Sequence, residues 1–266
     1  MTGKTHYAFN IASAIGIATL FEPNISIPIG LGIVLSSSLP DLDYVFFDMS
    51  HIYNHNKSFE DRKTTMYAKS FLSGLTMSTI LILLSLFVNL PHNSNIILFL
   101  GWILAGLAVF RKRPKLIPFY LYALPLLPLA IISYKDYLKT KGRQHRKITH
   151  SLTGLIIFAI NMLIIYILSH NQYVFLFSIG SIIGYFLHLL LDYLTPTGVP
   201  FFYPFKKKKY SLRLIYNGSQ QETNFRTFSL LIASFLTILA VKLQFPTLQQ
   251  YHWFQDFIHL FQRFSF

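Results

Sequence analysis

The feature that most constrains this chain is a series of long apolar runs whose interiors carry no charge. The four clearest runs are SFLSGLTMSTILILLSLFVNL, SLTGLIIFAINMLIIYILS, YVFLFSIGSIIGYFLHLLLDYL and FSLLIASFLTILAVKL. Each approaches the roughly 20 residues that a helix needs to cross a bilayer. Uncharged interiors of this length argue against the core of a soluble protein. The runs therefore predict an all-α, polytopic bundle of membrane helices.

Composition supports the same class. Apolar residues make up 53% of the chain and charged residues 12%, whereas soluble domains average roughly 25% charged residues. The first apolar stretch contains His6 and Asn10 and lacks the pattern of a cleaved signal peptide, so we expect none. We predict one membrane-embedded domain over residues 1–245, followed by an amphipathic, aromatic-rich tail over residues 246–266.

Shorter segments complete the predicted bundle. We place apolar segments at residues 7–21, 25–39, 71–89, 95–110, 116–134, 150–168, 173–194 and 228–244. The first two, at about 15 residues or roughly 22 Å of helix, suit re-entrant or tilted helices. Segment 116–134 contains Pro118, Pro125 and Pro128, and proline removes helical donors, so we expect a broken or non-spanning element there.

The formal net charge of +13 predicts the orientation of the bundle. Cations concentrate in the segments 57–69, 111–115, 135–147 and 206–213. Lys and Arg in short loops mark the cytoplasmic side and attract anionic lipid. We therefore expect a multi-pass protein of the cell membrane with a cytoplasmic N-terminus and an external tail, with membrane lipids as partners. Nucleic acid is a weaker candidate partner, because no recognition helix or aromatic-interleaved basic stripe accompanies the charge.

The chain has no cysteine, so a metal ion would have to be held by its His, Asp and Glu residues. Four patches offer such ligands. They are His6, the acidic run SLPDLDYVFFD, the opening HRKITHS of a predicted span, and HLLLDYLTPTG at the end of another. The predicted orientation brings all four to the cytoplasmic ends of their segments, so four remote regions converge on one membrane face.

His188 and Asp192 form the clearest pair. They are four residues apart in a predicted helix, so their side chains lie on one face, one turn apart. This spacing suits two metal ligands, or one ligand and the carboxylate that orients it. A hydrogen bond that satisfies two polar groups inside a bundle is the alternative. Ionisable groups in apolar spans are nevertheless a functional hypothesis by default.

Asp41 and Asp43 follow Pro40, which disfavours helix for the residue before it. A turn or an extended start would point the two carboxylates in different directions. Either could bind a metal while the other caps the following segment, since Asp is a preferred N-cap. A carboxylate left uncoordinated, for which Asp41 is our candidate, could act as a general base.

His145 and His150 are five residues apart, which in a continuous helix would separate them by about 140°. A helix start at Thr149 or Ser151 would remove this conflict, because His145 would then lie in the loop and His150 at the first turn. The two rings could then face one metal. Arg146 could contact a phosphate or anchor the loop to lipid. A basic interfacial loop with incidental histidines is the alternative.

Taken together, these residues resemble the YdjM-like family of membrane-bound, metal-dependent hydrolases. The resemblance rests on His6, LPDLD, HRKITHS and HLLLDYLTPTGVPFFYPF, in this order, within residues 1–60 and 140–210. The family is remotely similar to the zinc-dependent phospholipase C and single-strand nuclease superfamily, whose sites also use His and Asp. The ligands that this resemblance implies for one or more divalent ions are His145, His150, His188, Asp192 and Asp43, with Asp41 and His6 as additional candidates. The additional His, Glu and amino-terminal ligands of zinc phospholipases have no evident counterpart in the sequence.

The resulting hypothesis is a hydrolase at the cytoplasmic membrane surface that cleaves a phosphoester with a metal-activated water. Zinc is the favoured metal, with manganese or magnesium as alternatives, and a phospholipid is the favoured substrate. Asp41 and Arg146 are the candidate catalytic residues. The competing interpretation is a non-catalytic membrane regulator or scaffold whose His/Asp cluster is structural. A transporter is disfavoured, because the ionisable groups lie at helix ends rather than at the membrane midplane.

Overall fold

A computed structural model describes residues 1–42, 122–140 and 146–244. These residues contain six α-helices, one 3₁₀ turn at Leu39–Asp41 and no β-strand beyond an isolated bridge between Val199 and Tyr210. The helices are α1 Gly3–Leu20, α2 Pro23–Ser36, α3 Ala123–Thr140, α4 Leu152–Ser169, α5 Gln172–Tyr193 and α6 Gln220–Gln244. The predicted all-α class is confirmed for this part of the chain. Asp43, His145, segments 71–89 and 95–110, and the tail 246–266 lie outside it.

In the part of the chain that the structure describes, three helices are long and apolar enough to cross a membrane: Leu152–Ser169, Gln172–Tyr193 and Gln220–Leu243. The spans predicted from residues 150 and 173 are confirmed to within two residues. The third helix begins eight residues before the predicted segment 228–244, because the polar stretch from Gln220 continues the same helix. The short segments 7–21 and 25–39 are the helices α1 and α2, of 18 and 14 residues.

The helix α3 runs without interruption through two of the prolines that predicted a broken or non-spanning element. Its apolar part is the short stretch Ala123–Lys135, and within the described residues it is not among the helices long enough to span. Pro125 lies in its first turn, where a backbone donor has no intrahelical partner to lose. Pro128 lies inside the helix. Leu126, Leu129 and Ala130 pack into a buried cluster with Phe158 of α4 and Tyr185 of α5. This packing compensates for the donor that Pro128 removes. Pro118 lies outside the described residues.

The helix α5 lies at the centre of the bundle, with 44% of its span buried against 17% for the spans in α4 and α6. It meets α2 at very close range. A Cβ on Gly180 would overlap the carbonyl of Ile29, and one on Gly184 would overlap the carbonyl of Ile33. Small residues at such crossings let two backbones approach each other, as is common in membrane bundles.

Four helix ends meet at one end of the bundle. They are the start of α1, the 3₁₀ turn that follows α2, the residues before α4 and the last turns of α5. His6, Asp41, His150, His188 and Asp192 lie at these ends. The predicted grouping of a His/Asp cluster at the helix ends is confirmed.

The glycine contact makes a direct prediction. Gly180→Ala should lower the free energy of unfolding by roughly 1–3 kcal/mol, because the added methyl group must push the α2 backbone away. The matched control is Gly30→Ala, in the contact between α1 and α2. Its Cβ would meet Ala14 at an ordinary 3.5 Å, and alanine favours helix by roughly 0.5–1 kcal/mol. Thermal unfolding of both variants in detergent tests the contact, and equal stability of the two would contradict it.

Candidate metal centre

The site is assembled from short local motifs at the four helix ends. Ser151 is the N-cap of α4, and its hydroxyl accepts a hydrogen bond from the Gly154 backbone nitrogen at 3.1 Å. This confirms one of the two predicted helix starts. His150 lies one residue before the cap rather than in the first turn, so its side chain leaves the loop and turns toward α5.

The tautomer of His188 is set by its neighbour. Its Nδ1 lies 2.6 Å from the carbonyl oxygen of Ser37, at the end of α2. A carbonyl oxygen only accepts hydrogen bonds, so Nδ1 carries the proton and Nε2 offers a lone pair. The Nδ1 of His150 lies 3.2 Å from the hydroxyl of Thr149. Both rings therefore direct Nε2 toward the same space.

Four ligand atoms surround that space. His150 Nε2 lies 3.4 Å from Asp41 Oδ1 and 3.4 Å from Asp192 Oδ2. His188 Nε2 lies 3.7 Å and 3.6 Å from the same two oxygens. Ligands bound to one zinc ion at about 2.0–2.1 Å in tetrahedral geometry lie about 3.3 Å apart. The four observed His–Asp separations exceed this value by at most 0.4 Å, so each His–Asp pair has a spacing that fits two ligands of one metal ion.

The chemistry of these atoms also fits a cation. Within the described residues, His188 Nε2 and Asp192 Oδ2 are fully buried and make no hydrogen bond. Both atoms are hydrogen-bond acceptors in the assigned tautomer, and two buried acceptors that face each other need a proton or a cation between them. The groups Asp41–His150–His188 and His6–His188–Asp192 both have the proximity needed to hold an ion. The donor set therefore fits the divalent metal that the sequence predicted.

The two oxygens of Asp192 face different partners. Oδ2 faces the histidines, whereas Oδ1 accepts from the Met1 amino group at 2.8 Å and from Arg146 Nη2 at 2.9 Å. His6 Nε2 lies 3.3 Å from the same oxygen. Asp192 is completely buried, and a buried carboxylate is tolerated only where such partners replace water.

His6 stacks on His188 with ring centroids 3.8 Å apart and ring planes 8° apart. A ring nitrogen directs its lone pair in the ring plane, so two parallel rings cannot easily aim at one ion. The contact with Asp192 Oδ1 instead favours His6 as the residue that orients this carboxylate. Such outer hydrogen bonds fix ligand geometry in many metal sites.

Arg146 is buried, and its guanidinium points inward. Besides Asp192, it donates to Thr197 Oγ1 at 2.6 Å and to the carbonyl of Gly198 at 3.3 Å. Its backbone has a φ of 64°, in the left-handed region that non-glycine residues rarely adopt. The position therefore carries strain, which the guanidinium contacts offset. Arg146 ties the loop before α4 to the loop after α5.

Asp41 is the member of the cluster that reaches the surface, with 32% of its side chain exposed. Burial alone would raise the pKa of this carboxyl group. The neighbouring His188 and His150 act in the opposite direction and bring the pKa well below its ordinary value. Asp41 is therefore ionised at neutral pH.

Sequence reasoning did not identify the residues that hold the N-terminal segment in place. Glu222, at the start of α6, accepts hydrogen bonds from the hydroxyl groups of Thr2 and Thr5, both at 2.8 Å. Its other oxygen accepts from the Gly218 backbone nitrogen at 2.7 Å. This contact fixes the start of α1 and with it the ring of His6. Glu222 is one of only three Glu residues in the chain, and that rarity is the signal that could have identified it.

Comparison of the chain with known proteins identifies the family to which it belongs. No curated protein and no solved structure matches the chain. Residues 1–247 match the family described as YdjM inner membrane protein. This match spans all six described helices and every residue of the His/Asp cluster, so the chain belongs to the YdjM inner membrane protein family.

Proposed function

We propose that this protein is a metal-dependent hydrolase of the membrane surface that cleaves a phosphoester. The observation that carries the proposal is the position of the His150 and His188 Nε2 atoms, each of which lies 3.4–3.7 Å from a carboxylate oxygen of Asp41 and from one of Asp192. Catalytic metal sites use such side chains and keep a position open for water.

His150, His188 and Asp192 would hold the ion, and all three are completely buried. Two imidazoles and one carboxylate favour zinc over magnesium, which prefers oxygen ligands, and manganese is the next candidate. When bound, such an ion would supply Lewis-acid polarisation of the phosphoryl group and a lowered pKa for water. Asp43 and His145, which lie outside the described residues, stay predicted further ligands.

Asp41 is our candidate for the general base. It lies at the fourth corner of the cluster and, unlike the three buried ligands, is partly exposed. Its Oδ1 lies 3.4 Å from His150 Nε2, next to the space that the proposed ion would occupy, and would accept a proton there from an attacking water molecule. The phosphorus–oxygen bond to the leaving group would break as the water attacks, and the leaving oxygen would take up the proton that Asp41 accepted.

Arg146 is proposed to position Asp192 rather than to touch the phosphate. Its Nη1 and Nη2 are engaged by Thr197, Gly198 and Asp192. The hydrogen bond from Arg146 to Asp192 Oδ1 would keep the other oxygen, Oδ2, directed at His150 and His188. His6 would serve the same purpose from the other side of the carboxylate.

The substrate class follows from the position of the site. The cluster lies at the ends of the candidate spans α4 and α5, and a site at a bilayer edge meets lipid phosphoesters at high local concentration. The lysines of residues 206–209 follow α5 on the same side, which favours the cytoplasmic face by the positive-inside rule. A phospholipid or lipid-linked phosphoester is therefore the proposed substrate, and nucleic acid is the weaker alternative.

A second candidate is a non-catalytic regulator or scaffold. If Asp41 completes the coordination as a fourth ligand, the site would be closed, as structural zinc sites are. Asp41 lies almost as close to the two histidines as Asp192 does, since the corresponding distances differ by at most 0.1 Å. This similarity favours the alternative. If Asp41 is the general base of a hydrolase, its removal abolishes turnover and leaves metal binding intact. If Asp41 is the fourth ligand of a structural site, its removal abolishes metal binding.

The first prediction concerns the ion itself. The purified protein should bind about one divalent ion per chain, and His150→Gln or His188→Gln should lower the affinity strongly, because each removes a ligand. His170→Ala is the matched control, since this exposed residue caps the opposite end of α4. Metal analysis together with calorimetric zinc titration measures the effect. Absence of bound metal in the wild type, or equal binding by all variants, would contradict the proposal.

The second prediction concerns Asp41. Asp41→Asn should retain the metal and lower phosphodiester hydrolysis by about 100-fold or more, the usual effect of losing a general base. Asp192→Asn should instead lose the metal. Turnover is measured with a chromogenic phosphodiester and with dispersed phospholipid, before and after chelation. If Asp41→Asn loses the metal as readily as Asp192→Asn, Asp41 is a metal ligand, and the result supports the non-catalytic structural site.

The third prediction concerns Arg146. Arg146→Gln should weaken metal affinity about 10- to 100-fold without removing a ligand, the range known for outer hydrogen bonds to ligand carboxylates. Arg213→Gln is the control, because Arg213 shares the left-handed backbone, with a φ of 55°, but is exposed. Zinc titration measures both. An unchanged zinc affinity in Arg146→Gln would show that Arg146 is not needed to position Asp192. Direct contact of Arg146 with the substrate phosphate would then be favoured.

A further inference from the structure

Residues 199–216, here called the basic platform, are fixed against the ends of two candidate spans. Its first residue, Val199, exchanges two backbone hydrogen bonds with Tyr210. Three further backbone hydrogen bonds anchor the platform to the helices: the N–H of Leu212 donates to Tyr193, that of Leu214 to Leu194, and that of Leu152 to Phe201. These three bonds and the two between Val199 and Tyr210 are all 2.9 Å long. The platform is thus attached to the last residues of α5 and the first residue of α4, the level at which both apolar spans end.

The outer surface of the platform is cationic. Residues Lys206–Lys209 and Arg213 are all exposed. In the sequence, no Asp or Glu lies between Asp192 and Glu222, so the platform carries no carboxylate to offset these five charges. Lys208 lies 5.5 Å from the centre of the Tyr210 ring, which holds one of the lysines over the bridge. The positive charge is therefore presented on an ordered surface.

Large apolar side chains stand between and beside the cations. Phe205, directly before the first lysine, is 86% exposed, and Leu214 and Phe202 are 60% and 48% exposed. Exposed aromatic and aliphatic groups of this size are unfavourable in water. Aromatic groups beside lysines at the end of an apolar span match the boundary between acyl chains and headgroups.

We propose that the basic platform binds anionic phospholipid headgroups and gathers them beside the His/Asp cluster. The lysines complement the lipid phosphates, and Phe205 and Leu214 enter the acyl boundary. The platform is contiguous with the cluster, because Arg146 contacts Thr197 and Gly198 directly before it. This binding does not require the metal or any hydrolysis, so it goes beyond the proposed function and can be tested without it.

Lipid is favoured over nucleic acid as the occupant. The apolar side chains on the platform are matched by acyl chains, whereas a phosphate backbone in water would leave the aliphatic Leu214 exposed. The level of the platform, at the ends of α4 and α5, also places it where headgroups lie. Nucleic-acid binding is retained as an outcome of the test.

The test uses the absence of cysteine from the chain. Phe205→Cys in the full-length protein, labelled with a polarity-sensitive fluorophore, is reconstituted in phosphatidylcholine nanodiscs. Nitroxide-labelled phosphatidylglycerol or nitroxide-labelled phosphatidylcholine is then added at equal mole fraction. We expect the anionic lipid to be enriched around the label by about fivefold or more, since one cation near such a surface contributes about 1 kcal/mol. The enrichment should fall with added salt.

Two variants make the result specific. Replacing Lys206–Lys209 together with Gln should abolish the preference for the anionic lipid while the protein still folds in nanodiscs. A label at Tyr173→Cys, at the opposite end of α5 and also exposed, should be quenched equally by both lipids. Equal quenching at residue 205 by the two lipids, or a preference that survives the loss of all four lysines, would overturn the proposal. A fluorescence response to an added oligonucleotide without lipid preference would assign the platform to nucleic acid instead.

Discussion

The rest of this structure depends on one buried carboxylate, that of Asp192 near the end of the central helix. Removing a carboxylate from water costs several kcal/mol unless partners replace the lost hydration. Those partners come from distant parts of the chain: the Met1 amino group, Arg146 and His6 meet one oxygen. The other oxygen faces His150 and His188. The need to compensate one charge thus brings together the starts of α1 and α4 and the end of α5.

Backbone packing sets the remaining part of the geometry. Gly180 and Gly184 let α2 lie directly against α5, so the end of α2 meets the last turns of the central helix. From there, the carbonyl of Ser37 fixes the ring of His188, and Asp41 reaches the cluster from the following 3₁₀ turn. Van der Waals contact along the apolar bundle therefore determines the position of polar groups at its end.

The cluster and the basic platform suggest a shared use of the membrane boundary. The buried donors of the cluster form a site with one partly exposed carboxylate, whereas the platform offers cations and apolar groups on its outer surface. Arg146 joins the two through Asp192 on one side and Gly198 on the other. Under the proposed function, a lipid phosphoester would meet the platform and the site at the same level.

The sequence by itself determined the helical membrane class, the spans near residues 152–169 and 172–193, and the pairing of His188 with Asp192, because apolar length and helical spacing are local properties. It also limited the start of α4 to a cap at Thr149 or Ser151, of which the structure shows Ser151. Only the tertiary structure decided that Arg146 and His6 share one oxygen of Asp192, and that Glu222 holds the N-terminal segment. It also kept α3 continuous through Pro128, where packing outweighed the lost hydrogen bond. These features join residues that are distant along the chain, and no local pattern records such contacts.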